Sequence, residues 1–156
     1  MSNVSLGLTG AISNDKLEIN GTGAFTQKNA GTNLGYTVSN LVLTGDDASN
    51  YYITGNNNSF SGTNGTITPA PLSLSTASVT KTYDGTTSAN GSLKILSNTQ
   101  LFGNDTLSGG TYTFTSAAVG TNKVVQVTGA LINDGNSGNN YAITYIDNTD
   151  SVIAEK

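Results

Sequence analysis

Few side chains in this sequence can do chemistry, and most of them fall in three short stretches. Residues 81–87, KTYDGTT, set an ammonium, a phenol and a carboxylate beside a glycine. Acid–base or nucleophilic work by Asp84 would need a second carboxylate or a base at a fixed separation, and the sequence marks no such partner. A covalent lysine-to-asparagine crosslink would need Lys81 buried beside an acid. Folding makes fewer demands. Asp-Gly is a strong turn dipeptide, because glycine accepts positive φ and aspartate bonds nearby backbone amides. Tyr83 would continue the strand face set by Val79 and Lys81, so Tyr83, Asp84 and Gly85 read as a structural turn.

The other two stretches, DDASNYY at 46–52 and NDGNSGNN at 133–140, are rich in oxygen. Asp46, Asp47 and Asn50 in the first, and Asp134, Asn136 and Asn139 in the second, are candidate calcium ligands. Calcium takes about six to eight oxygens, however, and the second loop lacks the terminal bidentate carboxylate of an EF-hand. The competing reading is again structural. Asp47 and Tyr51 stand four apart with Ala48 between them and a strand following, an arrangement that resembles the tyrosine corner of immunoglobulin-like sandwiches, where a phenol bonds backbone upstream. Asp134 and Tyr141 repeat it with a longer loop, so Tyr51 and Tyr141 are read as corner residues.

Composition narrows the functions open to these groups. Charged residues make up 10% of the 156, against about a quarter in an ordinary domain. Small polar residues replace them: 20 Asn, 17 Ser and 24 Thr, with 19 Gly. Net charge is −4, with six Lys and no Arg, which speaks against nucleic acid, whose phosphates need clustered positive charge. Without His or Cys there is no imidazole base, no thiolate and no nitrogen or sulfur metal ligand, so any metal would be calcium. No apolar run approaches the ~20 residues of a membrane span, and no signal-peptide pattern is present. Met1 followed by a polar segment reads as the artificial start of an excised piece.

The elements that must hold these loops are strands. Tyr36 and Val38, Leu41 and Leu43, Leu72 and Leu74, Tyr112 and Phe114, Val125 and Val127, and Tyr141, Ile143 and Tyr145 alternate with polar residues, the pattern of a half-buried strand. The two prolines, Pro69 and Pro71, stand close to mid-chain, where Thr68-Pro69-Ala70-Pro71 reads as a stiff linker. A self-comparison agrees. Phe25 falls on Phe114, Gly31-Thr32-Asn33 on Gly120-Thr121-Asn122 and Val38 on Val127 at one constant offset; one inserted residue later, Asn50-Tyr51 falls on Asn140-Tyr141. Asn14-Asp15 pairs with Asn104-Asp105, and Ile67 with Ile153. The sequence therefore predicts an all-β chain of two tandem antiparallel β-sandwich, immunoglobulin-like domains joined by a short proline-containing linker. Residues 1–68 form a first repeat, short at its start relative to the sequence unit because it has no version of 72–88, and residues 69–156 a second, complete one. The first domain is read as complete without that segment.

KTYDGTTSA, GNDTLSGGTYTF, VGTNKVVQVTGALI and GNNYAIT, in that order, resemble one YDG-type repeat of large secreted bacterial adhesins, the filamentous-haemagglutinin-like surface proteins of two-partner secretion. The first copy is similar but headless, and the likeness spans almost the whole chain. The loop at 134–140 is longer than the family's usual Asp-Ala-Gly-Asn-Tyr form. The resemblance implies export to the exterior of a Gram-negative outer membrane, tandem repetition, and a role in the stalk or adhesive body of a cell-surface protein active in biofilms. Its implied partners are neighbouring repeats of the same chain and host or matrix glycans, without nucleic acid or membrane insertion. The leading expectation is a monomeric, non-catalytic spacer segment with no cofactor. The alternative is a glycan- or calcium-binding module of the same kind of protein.

Overall fold

The computed structural model describes residues 6–55 and 57–156. It is all-β, with no α-helix among the described residues, and it divides into two compact units, Met1–Thr68 and Pro69–Lys156.

The first unit carries one antiparallel sheet in the order β1-β2-β3, from β1 (Glu18–Phe25), β2 (Gly31–Thr44) and β3 (Phe60–Ile67). A 3₁₀ turn at Ala48–Asn50 follows β2. The second unit carries two sheets. One is ordered β5-β10-β8-β7, from β5 (Thr80–Thr82), β7 (Thr106–Phe114), β8 (Gly120–Asn133) and β10 (Asn148–Ala154). The other is β6-β4-β9, from β4 (Ala70–Thr76), β6 (Leu93–Ile95) and β9 (Tyr141–Tyr145). Two apolar clusters hold this unit. Val79, Phe114, Val125 and Ile153 form one; Leu72, Leu74 and Tyr141 form the other, against side chains of β7 and β8 such as Leu107 and Ile132. Leu72 and Leu74 are fully buried, worth about 1.5–3 kcal/mol each relative to exposure.

The duplication appears as shared register. In β1–β2, Phe25 faces Tyr36 and Gly23 faces Val38; in β7–β8, Phe114 faces Val125 and Tyr112 faces Val127. Both long strands, β2 and β8, break their alternation midway, from Tyr36 and Val38 to Leu41 and Leu43, and from Val125 and Val127 to Ala130 and Ile132. A left-handed residue takes up the odd step in each: Asn40 at φ 54° and Gly129 at φ 69°. Glycine and asparagine are the residues that adopt this conformation at least cost.

Three expectations change. The strands are not all antiparallel, since β4 pairs with β9 and β5 with β10 in parallel. Alternation shows which face of a strand is buried but not which way its partner runs, and these partners are far apart in sequence. The proline segment is not a free linker: Pro71 lies inside β4 opposite Ala142. Its missing donor costs no ladder bond there. The Ala70 amide already reaches Asn140 O at 2.8 Å on the β9 side, and on the opposite side β6 begins pairing only at Leu74. Finally, the first unit shows one sheet, not a two-sheet sandwich, among its described residues, because no described segment stands in for β4 and β6.

Candidate functional site

The turn at 83–85 hangs from the end of β5. β5 lies parallel to β10, Lys81 opposite Ile153, and the Tyr83 amide extends the pairing to Ala154 O at 2.8 Å. Gly85 then reverses the chain at φ 79°. Asp84 Oδ1 accepts the amide and the hydroxyl of Thr86, both at 2.9 Å, and lies 2.7 Å from Lys81 Nζ. Lys81 also donates to Thr86 O at 2.9 Å, to Thr86 Oγ1 at 3.1 Å and to Ser88 O at 3.0 Å, while its ammonium stands 5.9 Å from the centre of the Phe114 ring. Its side chain is only 15% exposed. Lys81 is therefore the hub on which the loop folds. The other side of the loop is stitched to β7 by the Phe114 amide on Thr87 O at 2.8 Å. Tyr83 itself is exposed.

The same contacts fix the electrostatics. Lys81 foremost, then the amide and hydroxyl of Thr86, lower the Asp84 pKa from 3.8 to about 2. Such a carboxylate is a poor general base and holds no proton to give near neutrality. Because the folded state binds that proton less tightly, the loop's contribution is whole above pH 3.8 and drains away as pH falls through about 2. Asp84→Asn should accordingly flatten the acid limb of stability between about pH 4 and pH 2. Melting temperature measured against pH for both proteins tests this; parallel acid limbs would refute it. A crosslink at Lys81 finds no asparagine amide among the partners described above.

The two tyrosines form matched devices. The Tyr141 hydroxyl donates to Asp105 Oδ2 at 2.6 Å and accepts the Phe102 amide at 2.8 Å. The Tyr51 hydroxyl donates to Asp15 Oδ2 at 2.5 Å and accepts the Ile12 amide at 2.9 Å. In both copies the acid lies 36 residues and the amide 39 residues upstream. Each phenol bonds backbone upstream, as a tyrosine corner does, while its acid is Asp15 or Asp105 and not the Asp47 or Asp134 that marked the expected corner; the strand expected to follow Tyr51 is not formed, residues 51–54 lying outside any strand. Asp15 and Asp105 are the residues that sequence reasoning missed, although their coincidence in the self-comparison and their equal spacing from the tyrosines carried the signal. Burial, then Asp105, raises the Tyr141 pKa above 10.0; the hydrogen bond to Asp15 leads the rise at Tyr51.

Of the calcium candidates, Asp47 and Asp134 turn their carboxylates onto backbone amides, while Asp46, Asn50 and Asn139 are exposed. Asp134 is 3% exposed, and its Oδ1 accepts the amides of Asn136 at 2.7 Å and Gly138 at 2.8 Å while Oδ2 accepts that of Asn140 at 3.0 Å. Burial works to raise its pKa, but those amides outweigh it and hold the carboxyl below 3.8. Asn136 Nδ2 donates to Asn140 Oδ1, and Asn139 Nδ2 to Asn136 O. In the first unit Asp47 Oδ2 accepts the Lys16 amide at 2.9 Å, Asp46 makes an exposed ion pair with Lys16 at 3.4 Å, and the Asn50 amide closes the turn onto Asp47 O at 3.0 Å. No group of three acidic side chains able to hold a metal occurs among the described residues, and no helix among them is long and apolar enough to cross a membrane.

Duplicated β units whose acids and phenols are bonded to their own loops define a class of repeat protein. The sequence profile of the YDG domain matches residues 1–59 and again residues 68–149, so the chain belongs to the YDG domain family. The second match contains Tyr83-Asp84-Gly85 itself. No curated protein and no solved structure matches the chain.

Proposed function

We propose that the chain is a non-catalytic spacer segment of a bacterial cell-surface adhesin, two YDG repeats on a two-sheet sandwich plan that contribute to adhesion or biofilm formation. One observation carries the reading: the carboxylates of Asp47, Asp84 and Asp134 are all engaged by amides of the chain's own backbone. A loop that uses its anions to hold its own shape has few left for a substrate or an ion. Duplication and low charge fit a module that must be repeated without sticking to its copies.

On this reading the partners are neighbouring repeats and, at the exposed end of such a protein, host or matrix glycans; nucleic acid and membrane insertion play no part, the segment is a monomer, and it needs no cofactor. Its place is the exterior of a Gram-negative cell. Two measurements test the proposal. Calorimetry with millimolar calcium should give no binding heat, and saturable heat would favour the calcium-binding alternative. Antibodies raised against the chain should stain intact, unpermeabilised producing cells; staining only after permeabilisation would overturn the surface assignment.

A further inference from the structure

Two stretches of the second unit that are far apart in sequence run side by side over their whole length. β4 lies parallel to β9 from Ala70 opposite Tyr141 to Leu74 opposite Tyr145, and β5 lies parallel to β10 from Thr80 opposite Val152 to Thr82 opposite Ala154. The sequence separation of the partners changes by a single residue from the first pair to the second. Residues 70–82 and 141–154 thus form one continuous parallel pair that passes from one sheet into the other.

Side chains bridge the passage between the sheets. Asn148 Nδ2 donates to Thr76 O at 3.4 Å, and Ser78 Oγ donates to Asp150 O at 2.8 Å. The fully buried Ser151 accepts the Val79 amide on its Oγ at 2.9 Å and donates from it to Asn148 Oδ1 at 2.6 Å. Backbone bonds flank these bridges, the Ile146 amide on Leu74 O and the Val152 amide on Val79 O, both at 2.8 Å. The pair is therefore bonded on both sides of the switch and across it.

Direction gives this pairing a mechanical consequence. Tension carried along the backbone enters the unit ahead of β4 and leaves it after β10. It draws residues 70–82 towards their N-terminal end and residues 141–154 towards their C-terminal end. Because the two stretches are parallel, these pulls slide them past each other along their own axes, and the bonds between them share the load. An antiparallel pair with both pulled ends at one edge would instead peel open, bond after bond. Forced unfolding is governed by the unfolding barrier, which is higher when many bonds must give way together. Sliding would also drag Leu72 and Leu74 of one stretch, and Tyr141 and Ile153 of the other, through the two apolar clusters.

We propose that this parallel pair is a load-bearing clamp, the element that lets the unit carry tension along the chain without unfolding. The inference rests on the scaffold reading for the source of the load, and the two fail separately. A weak clamp leaves the scaffold reading in place, whereas calcium heat or absent surface staining removes that reading and leaves a clamp whose strength is measured directly.

The test pulls single molecules of the full chain in two directions. The sequence has no cysteine, so introduced thiols give unique attachment points. Thr68→Cys with Lys156→Cys loads the pair in sliding. Tyr83→Cys with Lys156→Cys pulls apart two ends that lie together, and peels β5, the edge strand of its sheet, away from β10. All three sites are exposed, and Tyr83 joins the pair through its backbone amide. Unfolding between residues 68 and 156 releases about 300 Å of chain, which identifies the event. At one loading rate the sliding geometry should need a severalfold higher force than the peeling geometry. Equal forces in the two geometries, or a lower force in sliding, would overturn the proposal.

Discussion

Phe114→Ala should lower the stability of the second unit by about 3–5 kcal/mol, a large part of what a domain of this length has in reserve. Phe114 is 1% exposed and closes a cluster with Val79, Val125 and Ile153. Those three come from the segment before β5, from β8 and from β10, so the ring ties three stretches of chain that are distant in sequence. Its face also carries the Lys81 ammonium. Truncation therefore leaves a cavity and at the same time loosens the residue on which the 81–88 loop folds. Thermal unfolding by circular dichroism, with amide exchange at Val125 to identify the unit, measures the effect. Phe114→Leu, which keeps most of the volume and loses the ring, should cost much less. Equal losses from the two variants would show that packing volume does not govern the site.

Tyr141→Phe should cost about 1–3 kcal/mol, or roughly 5–15 °C in melting temperature for a unit of this size. The hydroxyl joins the start of β9 to the Asp105 carboxylate and the Phe102 amide, and Phe102 stacks on the Tyr141 ring with centroids 6.4 Å apart. Removing it strands an amide and a carboxylate together, which is costlier than losing one bond. Tyr52→Phe, at an exposed neighbour of the matched Tyr51, should change nothing measurable. The raised pKa of Tyr141 sets the pH range. The phenol's contribution is whole below 10.0 and fades only as pH climbs through the raised value, so the two proteins should differ equally at pH 6 and pH 8 and converge at the alkaline end. If Tyr141→Phe melted like the parent at neutral pH, the phenol would not be the pin between those loops.

Some of this could be read from the residues. Alternating Val, Leu, Ile and Tyr between runs of Asn, Gly and Asp specifies strands and turns, because a period of two is a property of the backbone and needs no partner to express it. The duplication was also legible, and the pairing of Asn14-Asp15 with Asn104-Asp105 held the clue to the tyrosine partners. A tyrosine corner calls only for a backbone partner upstream, so nothing local points to a carboxylate 36 residues back. Pro71 misled for a related reason. A missing donor disqualifies a strand position only if that side of the strand is paired, and pairing is a tertiary fact.

The sequence by itself determined that the chain is all-β and twice-built, and that Asp84 and Gly85 turn it. All of these follow from local preference and internal repetition. Tertiary structure alone decided that β4 and β9 run parallel, that Lys81 gathers the carbonyls of its loop, and that Asp15 and Asp105 hold the phenols. Each of these depends on which distant segment arrives alongside, and alternation leaves that open, since a strand's pattern names its buried face but neither its neighbour nor its direction.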